Sequence, residues 1–125
     1  MHNYIHTKYA EIYIKEGIVF FRYLTIEDFD EHVAKELVAI RLQLQREQTY
    51  PVLCDVRALN IPSKKARNYL SIEGSLLVSA IAYWADPHTT KELTDFFLKI
   101  NPPLVPSAIF TAKEEAIMYL KAFIS

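Results

Sequence analysis

The sequence has only two glycines, Gly17 and Gly74, and only one cysteine, Cys54, among its 125 residues. A loop that cradles a phosphate with backbone N–H groups needs several glycines close together, so a nucleotide site of that class is excluded. A single cysteine rules out an intrachain disulfide. Cys54 stands in an apolar stretch, where a thiol behaves as a small hydrophobic side chain, so we predict that it belongs to the core.

Excess charge and long apolar runs are also absent. The formal net charge is −1 at pH 7, which argues against binding nucleic acid by bulk electrostatic attraction. The longest apolar stretch, 76–85, is too short to span a bilayer, and residues 1–8 lack the apolar core of a signal peptide. We expect a cytoplasmic protein with no nucleic-acid partner and no transmembrane segment. The four histidines form no ligand spacing, so we predict no metal and no cofactor.

The first part of the chain predicts a β-hairpin followed by a helix. Ile12 and Ile14 alternate with polar residues, and Gly17 stands where a tight turn requires positive φ. Thr25 is the predicted N-cap of the helix, because apolar residues recur after it at spacings of three and four. This helix must end before Pro51, which restricts the residue preceding it.

The rest of the chain alternates strands with helices. Residues 51–56 predict a buried strand, and Ser63 is the predicted cap of a second helix that ends in a left-handed Gly74. A strand at 76–83 precedes a third helix, and a strand at 108–110 precedes a fourth helix. A Thr-x-x-Glu capping box beginning at residue 111 indicates where the fourth helix begins.

The resulting order is β-β-α-β-α-β-α-β-α. Strands that alternate with helices predict an α/β fold with a mostly parallel sheet and right-handed crossovers, and the first strand forms an N-terminal hairpin with the second. The length fits one domain. We therefore predict a flexible N-terminal segment, 1–9, and a single domain, 10–125.

Several strings resemble a family of small bacterial proteins found mainly in Bacteroidetes. They are PVLCDVR at 51–57, SKKARNYL at 63–70, FFLKINP at 96–102, and the group Pro106, Phe110, Thr111 and EEA at 114–116. These proteins look like STAS domains, which have the SpoIIAA-like fold of anti-sigma factor antagonists, and the resemblance runs from about residue 10 to the end. It implies a STAS-like fold and a non-enzymatic regulatory or protein-interaction module that binds a protein partner and forms a homodimer.

The resemblance also implies a role for Ser63. Anti-sigma antagonists carry a phosphorylatable serine at a helix start, within an Asp-Ser-Ser-Gly-like string. Ser63 stands near that place and is the candidate phosphoacceptor, although the string here reads Ile-Pro-Ser-Lys-Lys-Ala, without the neighbouring acid and glycine.

The segment 55–67 is the predicted binding site. Ligands of open α/β sheets bind beyond the carboxyl ends of strands, near helix N-termini that favour anions. The predicted ligand- or partner-binding residues are Asp55, Arg57, Ser63, Lys64, Lys65, Arg67 and Trp84. The structural alternative is that Ser63 only caps the helix, that the cations form a solvated face, and that Asp55 and Arg57 order the following loop.

Two further functions remain open from the sequence. A small-molecule or lipid sensor would have its pocket near the loop 55–63 and Trp84. An enzyme would need Ser63 to meet a distant base such as His88, since no converging catalytic set is evident. We therefore predict that the protein is not an enzyme.

Overall fold

The computed structural model describes residues 3–125. It contains six strands, β1 Tyr4–His6, β2 Ala10–Lys15, β3 Ile18–Tyr23, β4 Tyr50–Asp55, β5 Val78–Trp84 and β6 Ser107–Phe110. It contains four α-helices, α1 Glu31–Gln45, α2 Lys64–Ile72, α3 Thr90–Thr94 and α4 Lys113–Lys121. A short 3-10 turn, Glu73–Ser75, follows α2, and α3 continues as a π-helical segment, Asp95–Ile100.

The six strands form one sheet in chain order, from β1 at one edge to β6 at the other. The first three strands pair antiparallel, and β3 to β6 pair parallel, each parallel connection passing through a helix. This confirms the predicted α/β fold with its hairpin and mostly parallel sheet.

Strand β1 is an addition to the predicted order. Its residues Tyr4, Ile5 and His6 pair with Tyr13, Ile12 and Glu11 of β2. The strand lies inside the segment 1–9 that was expected to be flexible, and residues 1 and 2 of that segment lie outside the described part of the chain. Three residues are too few to show the alternation by which a strand is read from sequence.

Alternating side chains of the strands build two separate cores. On one side of the sheet, Val19, Phe21, Val52 and Cys54 pack under α1, α2, α3 and the π-helical segment. We call this side the three-helix face. On the other side, residues such as Phe20 and Leu53, together with Ala80 and Ala82, pack against Ala116 and Leu120 of α4 alone. We call this side the α4 face.

Several predicted helix ends are wrong in detail. The N-cap of α1 is Asp30, whose carboxylate accepts a hydrogen bond from the backbone N–H of Val33, and not Thr25. Ala112 caps α4 without a side-chain hydrogen bond, so the Thr111 capping box does not form. Gly17 has the predicted positive φ of 82°, but the left-handed residue after α2 is Leu77, at 57°, rather than Gly74.

Within residues 3–125, no helix combines the length and the apolar character needed to cross a membrane.

Candidate functional site

Asp55, Arg57 and Trp84 meet at the carboxyl ends of β4 and β5. Asp55 and Trp84 are direct partners in the parallel pairing of the two strands. Nε and Nη2 of Arg57 each donate to one carboxylate oxygen of Asp55, both at 2.9 Å. The centre of the Arg57 guanidinium lies 3.5 Å from the centroid of the Trp84 ring. A bidentate ion pair and a stacked aromatic ring therefore hold the Arg57 side chain in one orientation.

The carboxylate of Asp55 organises the loop as well as the side chain of Arg57. Its Oδ1 also accepts from the backbone N–H of Arg57 at 3.2 Å. Asp55 is buried, whereas the Arg57 side chain is 46% exposed. The hydrogen bond to Asp55 raises the pKa of Arg57, so the guanidinium remains charged. Arg57 thus presents a fixed cation to the solvent.

These residues line a cleft of about 260 Å³ on the α4 face, which we call the Trp84 cleft. Its other charged residues are Glu11, Arg22 and Lys113. Arg22 pairs with Glu11 at 2.9 Å, and the Nζ of Lys113 lies 5.8 Å from the Trp84 ring centroid. Within residues 3–125, Lys113 forms no salt bridge. The cleft therefore combines three cations with two carboxylates around aromatic walls.

The remaining predicted site residues lie elsewhere. The Oγ of Ser63 accepts from the backbone N–H of Ala66 at 3.1 Å, which is the predicted N-cap, and Lys64 and Lys65 are exposed beside it. Arg67 donates to Asn101 at 2.9 Å and to the carbonyl of Pro62 at 2.8 Å. None of these four predicted residues lines the Trp84 cleft. The structure therefore divides the predicted site between the two sides of the sheet.

A second cavity, of about 50 Å³, lies under the three-helix face, and we call it the Arg41 cavity. Arg41 of α1 is only 4% exposed and lines it together with Arg67 and mostly apolar side chains. Arg41 donates to the side chain of Gln45, to the carbonyl of Leu76 at 3.1 Å and to that of Gly74 at 3.3 Å. Burial lowers the pKa of Arg41, because desolvation disfavours the charged form.

Sequence reasoning missed both Arg41 and Lys113. A signal for Arg41 was present, because it stands midway between Leu37 and Gln45 at helical spacings of four, inside the apolar stripe of α1. An arginine in such a stripe indicates a buried cation. Lys113 carried no comparable signal, since its place beside Trp84 depends on how α4 packs on the sheet.

Cys54 is buried, and burial raises the pKa of its thiol to about 12. A thiol with this pKa is protonated at neutral pH and is not a nucleophile. Within the described chain, Ser63 and His88 share no hydrogen bond, and no group of three metal-ligating side chains converges.

The fold is shared with a solved structure. The crystal structure of an uncharacterized protein from the DUF3478 family with a SpoIIAA-like fold, from Shewanella loihica PV-4, matches with a TM-score of 0.61 and 12% sequence identity. The match covers 96% of this chain and 95% of that chain, so this protein has a SpoIIAA-like α/β fold. The chain belongs to the family described as Domain of unknown function (DUF7793), whose model matches residues 12–124. No curated protein matches it.

Proposed function

We propose that this chain is a non-enzymatic regulatory module that binds an acidic segment of a partner protein in the Trp84 cleft. The observation that carries the proposal is the Arg57 guanidinium, fixed by Asp55 and stacked on Trp84 at 3.5 Å. A receptor group that is already held in its binding orientation loses little conformational entropy when a partner docks.

Charge favours an acidic partner. Arg57 uses Nε and one N–H of Nη2 on Asp55, which leaves its outer donors directed away from that pair. Lys113 contributes a charge that forms no salt bridge with a carboxylate of the described chain. A carboxylate entering the cleft would meet both cations, and charge-assisted hydrogen bonds are the stronger ones.

Size favours a side chain of a partner protein over a whole small molecule. The cleft holds about 260 Å³. Pockets for small molecules typically hold roughly 300–1,000 Å³. One glutamate or aspartate side chain fits the smaller volume, with the rest of the partner segment lying across the neighbouring surface. The small-molecule or lipid sensor is the alternative that the same experiment tests.

Trp84 is the only tryptophan of the chain, so its fluorescence reports directly on the cleft. We expect octaglutamate to change this fluorescence on titration and octaglutamine to have no comparable effect. Because a charge-assisted hydrogen bond is lost, Arg57→Met should weaken octaglutamate binding about tenfold or more. Arg46→Met, an exposed arginine at the end of α1, is the matched control and should bind as the wild type does.

Two results would contradict the proposal. One is equal binding of octaglutamate and octaglutamine, and the other is unchanged octaglutamate affinity in Arg57→Met. If acetate or inorganic phosphate saturates the fluorescence change as effectively as the peptide, the small-molecule alternative is the better description of the cleft.

Ser63 supports a second regulatory proposal, that the module is controlled by phosphorylation. Ser63 is exposed at the N-terminus of α2, next to the exposed Lys64 and Lys65. A phosphate at this position would be stabilised by the positive end of the helix dipole. Mass spectrometry of the protein isolated from its host should then find phosphate on Ser63, and consistently unmodified Ser63 would count against the idea.

We further propose that the module works in the cytoplasm, as a homodimer. Light scattering on the purified protein measures its mass directly, and a mass of one chain at all accessible concentrations would rule out the dimer. Cell fractionation tests the location.

A further inference from the structure

The Arg41 cavity contains a positive charge that has no acidic partner among residues 3–125. Arg41 is buried and lines the cavity, and Arg67 lines it as a second cation. The lining contains no aspartate or glutamate from the described chain. A buried charge is costly unless it is paired, so the positive charge in this cavity favours the binding of an anion.

Part of the charge of Arg41 is compensated by its neighbours. Two backbone carbonyls, of Gly74 and Leu76, and the side-chain oxygen of Gln45 accept three of its hydrogen bonds. A guanidinium has five N–H donors, so Nε and one hydrogen of Nη2 have no acceptor within residues 3–125. These donors are the ones an incoming anion would use.

The polar side chains near Arg41 do not supply the missing negative charge. Tyr23, Cys54 and Tyr83 line the same cavity. Burial raises the pKa of each of them, that of Cys54 to about 12, so all three are neutral at physiological pH. They can donate or accept hydrogen bonds, but they do not neutralise a guanidinium.

Most of the residues that line the cavity are apolar. Leu37, Val52 and Ile81 are among the lining residues, from α1 and the sheet. Three exposed apolar residues, Ile72, Ile100 and Leu104, are next in the chain to the lining residues Ser71, Asn101 and Pro103. We take this partly exposed stretch of the lining as the mouth of the cavity. The hydroxyl of Ser71 donates to the carbonyl of Pro102 at 2.6 Å, which holds the two sides of this mouth together.

One side of the mouth is carried by irregular backbone. The π-helical segment supplies Phe97 to the lining, and Asn101, which follows it, donates its backbone N–H to the carbonyl of Phe96 at 3.1 Å. Asn101 also accepts from Arg67 at 2.9 Å, so the same turn positions the cation at the mouth. Single π-helical turns are frequent at functional sites.

We propose that the Arg41 cavity binds the carboxylate of an acid with a linear apolar chain. The volume of about 50 Å³ accommodates the head group, and both Arg41 and Arg67 line that space. The chain then leaves through the mouth and covers Ile72, Ile100 and Leu104, which are otherwise exposed to water. This site is separate from the Trp84 cleft, and the proposal does not depend on the function assigned to that cleft.

Octanoate and octan-1-ol are the probes, because they share a chain and differ in the charge of the head group. Calorimetric titration should show octanoate binding about tenfold or more tightly than the alcohol, which gains no charge-assisted hydrogen bond. Arg41→Met should lose this preference, and Arg46→Met on the same helix should keep it. Because Arg41 also contacts the turn after α2, Arg67→Met serves as a second variant if Arg41→Met does not fold.

A measurement on the wild type removes any dependence on variants. Octanoate labelled with ¹³C at the carboxyl group should titrate, when bound, at a lower pH than the free acid, because adjacent guanidinium groups stabilise the carboxylate. Absence of binding, equal affinity for the alcohol, or a bound carboxyl that titrates as the free acid does would each overturn the proposal. Lys113→Met separates the two sites, since it should leave octanoate binding intact while weakening octaglutamate.

Discussion

The two faces of the sheet differ in how completely helices cover them. The three-helix face lies under α1, α2, α3 and the π-helical segment, and it contains a cavity of only about 50 Å³. The α4 face is covered by one nine-residue helix, which leaves a cleft of about 260 Å³ at the carboxyl ends of the strands. We infer that the more extensive packing of the first face provides most of the stability, and that the second face carries the cleft proposed to bind the protein partner.

The largest effect should come from truncating the core of the three-helix face. Leu37 of α1 is fully buried, at 0% exposure. Leu37→Ala removes buried methyl groups and leaves a void, so we expect the free energy of unfolding to fall by about 2–5 kcal/mol. Urea denaturation followed by circular dichroism measures this change.

Met118→Ala, in α4, is the control for Leu37→Ala. Met118 lies on the outer side of α4 and is 68% exposed. Its truncation should change the free energy of unfolding by less than about 0.5 kcal/mol. Similar losses for the two variants would contradict the claim that the packing of buried Leu37 causes the loss.

The second effect in size should be a loss of stability at alkaline pH, caused by buried groups of the three-helix face. Burial raises the pKa of Cys54 from about 9 to about 12, and burial also raises the pKa of Tyr23 and Tyr83. At a pH between the two pKa values of Cys54, about 9 and about 12, the unfolded chain loses the thiol proton and the folded chain keeps it. The free energy of unfolding therefore falls with rising pH above about 9, by at most about 1.4 kcal/mol per pH unit for each such group.

Cys54→Ala isolates one part of this effect. The variant lacks the thiol, so its stability should decline less steeply than that of the wild type between about pH 9 and pH 10. Urea denaturation at a series of pH values gives both curves. Parallel curves would show that the Cys54 thiol does not contribute to the alkaline loss.

The sequence predicted the elements whose own residues decide their structure. Gly17 specifies the hairpin turn by its positive φ, and the apolar run 51–56 specifies an interior strand. The start of α1 was misplaced because Ile26 and Phe29 are buried in the loop before the helix, where they imitate its apolar spacing. Propensity cannot distinguish a buried loop residue from a buried helical residue.

The site was predictable only in part, because it depends on which side of the sheet each residue occupies. Asp55 and Trp84 end neighbouring parallel strands, so their meeting follows from the topology. The chain after Arg57 crosses to the three-helix face, and this separates Ser63 and Arg67 from the cleft. That crossing is a property of tertiary packing, and local sequence does not encode it.

An equally small effect on stability should come from Lys113→Met, and this variant sharpens the contrast between the two faces. Lys113 forms no salt bridge within the described chain, and its Nζ lies 5.6 Å from the ring centroid of Phe20. Its replacement should change the free energy of unfolding by less than about 0.5 kcal/mol. It should nevertheless weaken octaglutamate binding and reduce the salt dependence of that binding, because the cleft loses its only unpaired cation among residues 3–125. A stability loss as large as that of Leu37→Ala would mean that the α4 face is also a structural face, and the division of roles between the two faces would fail.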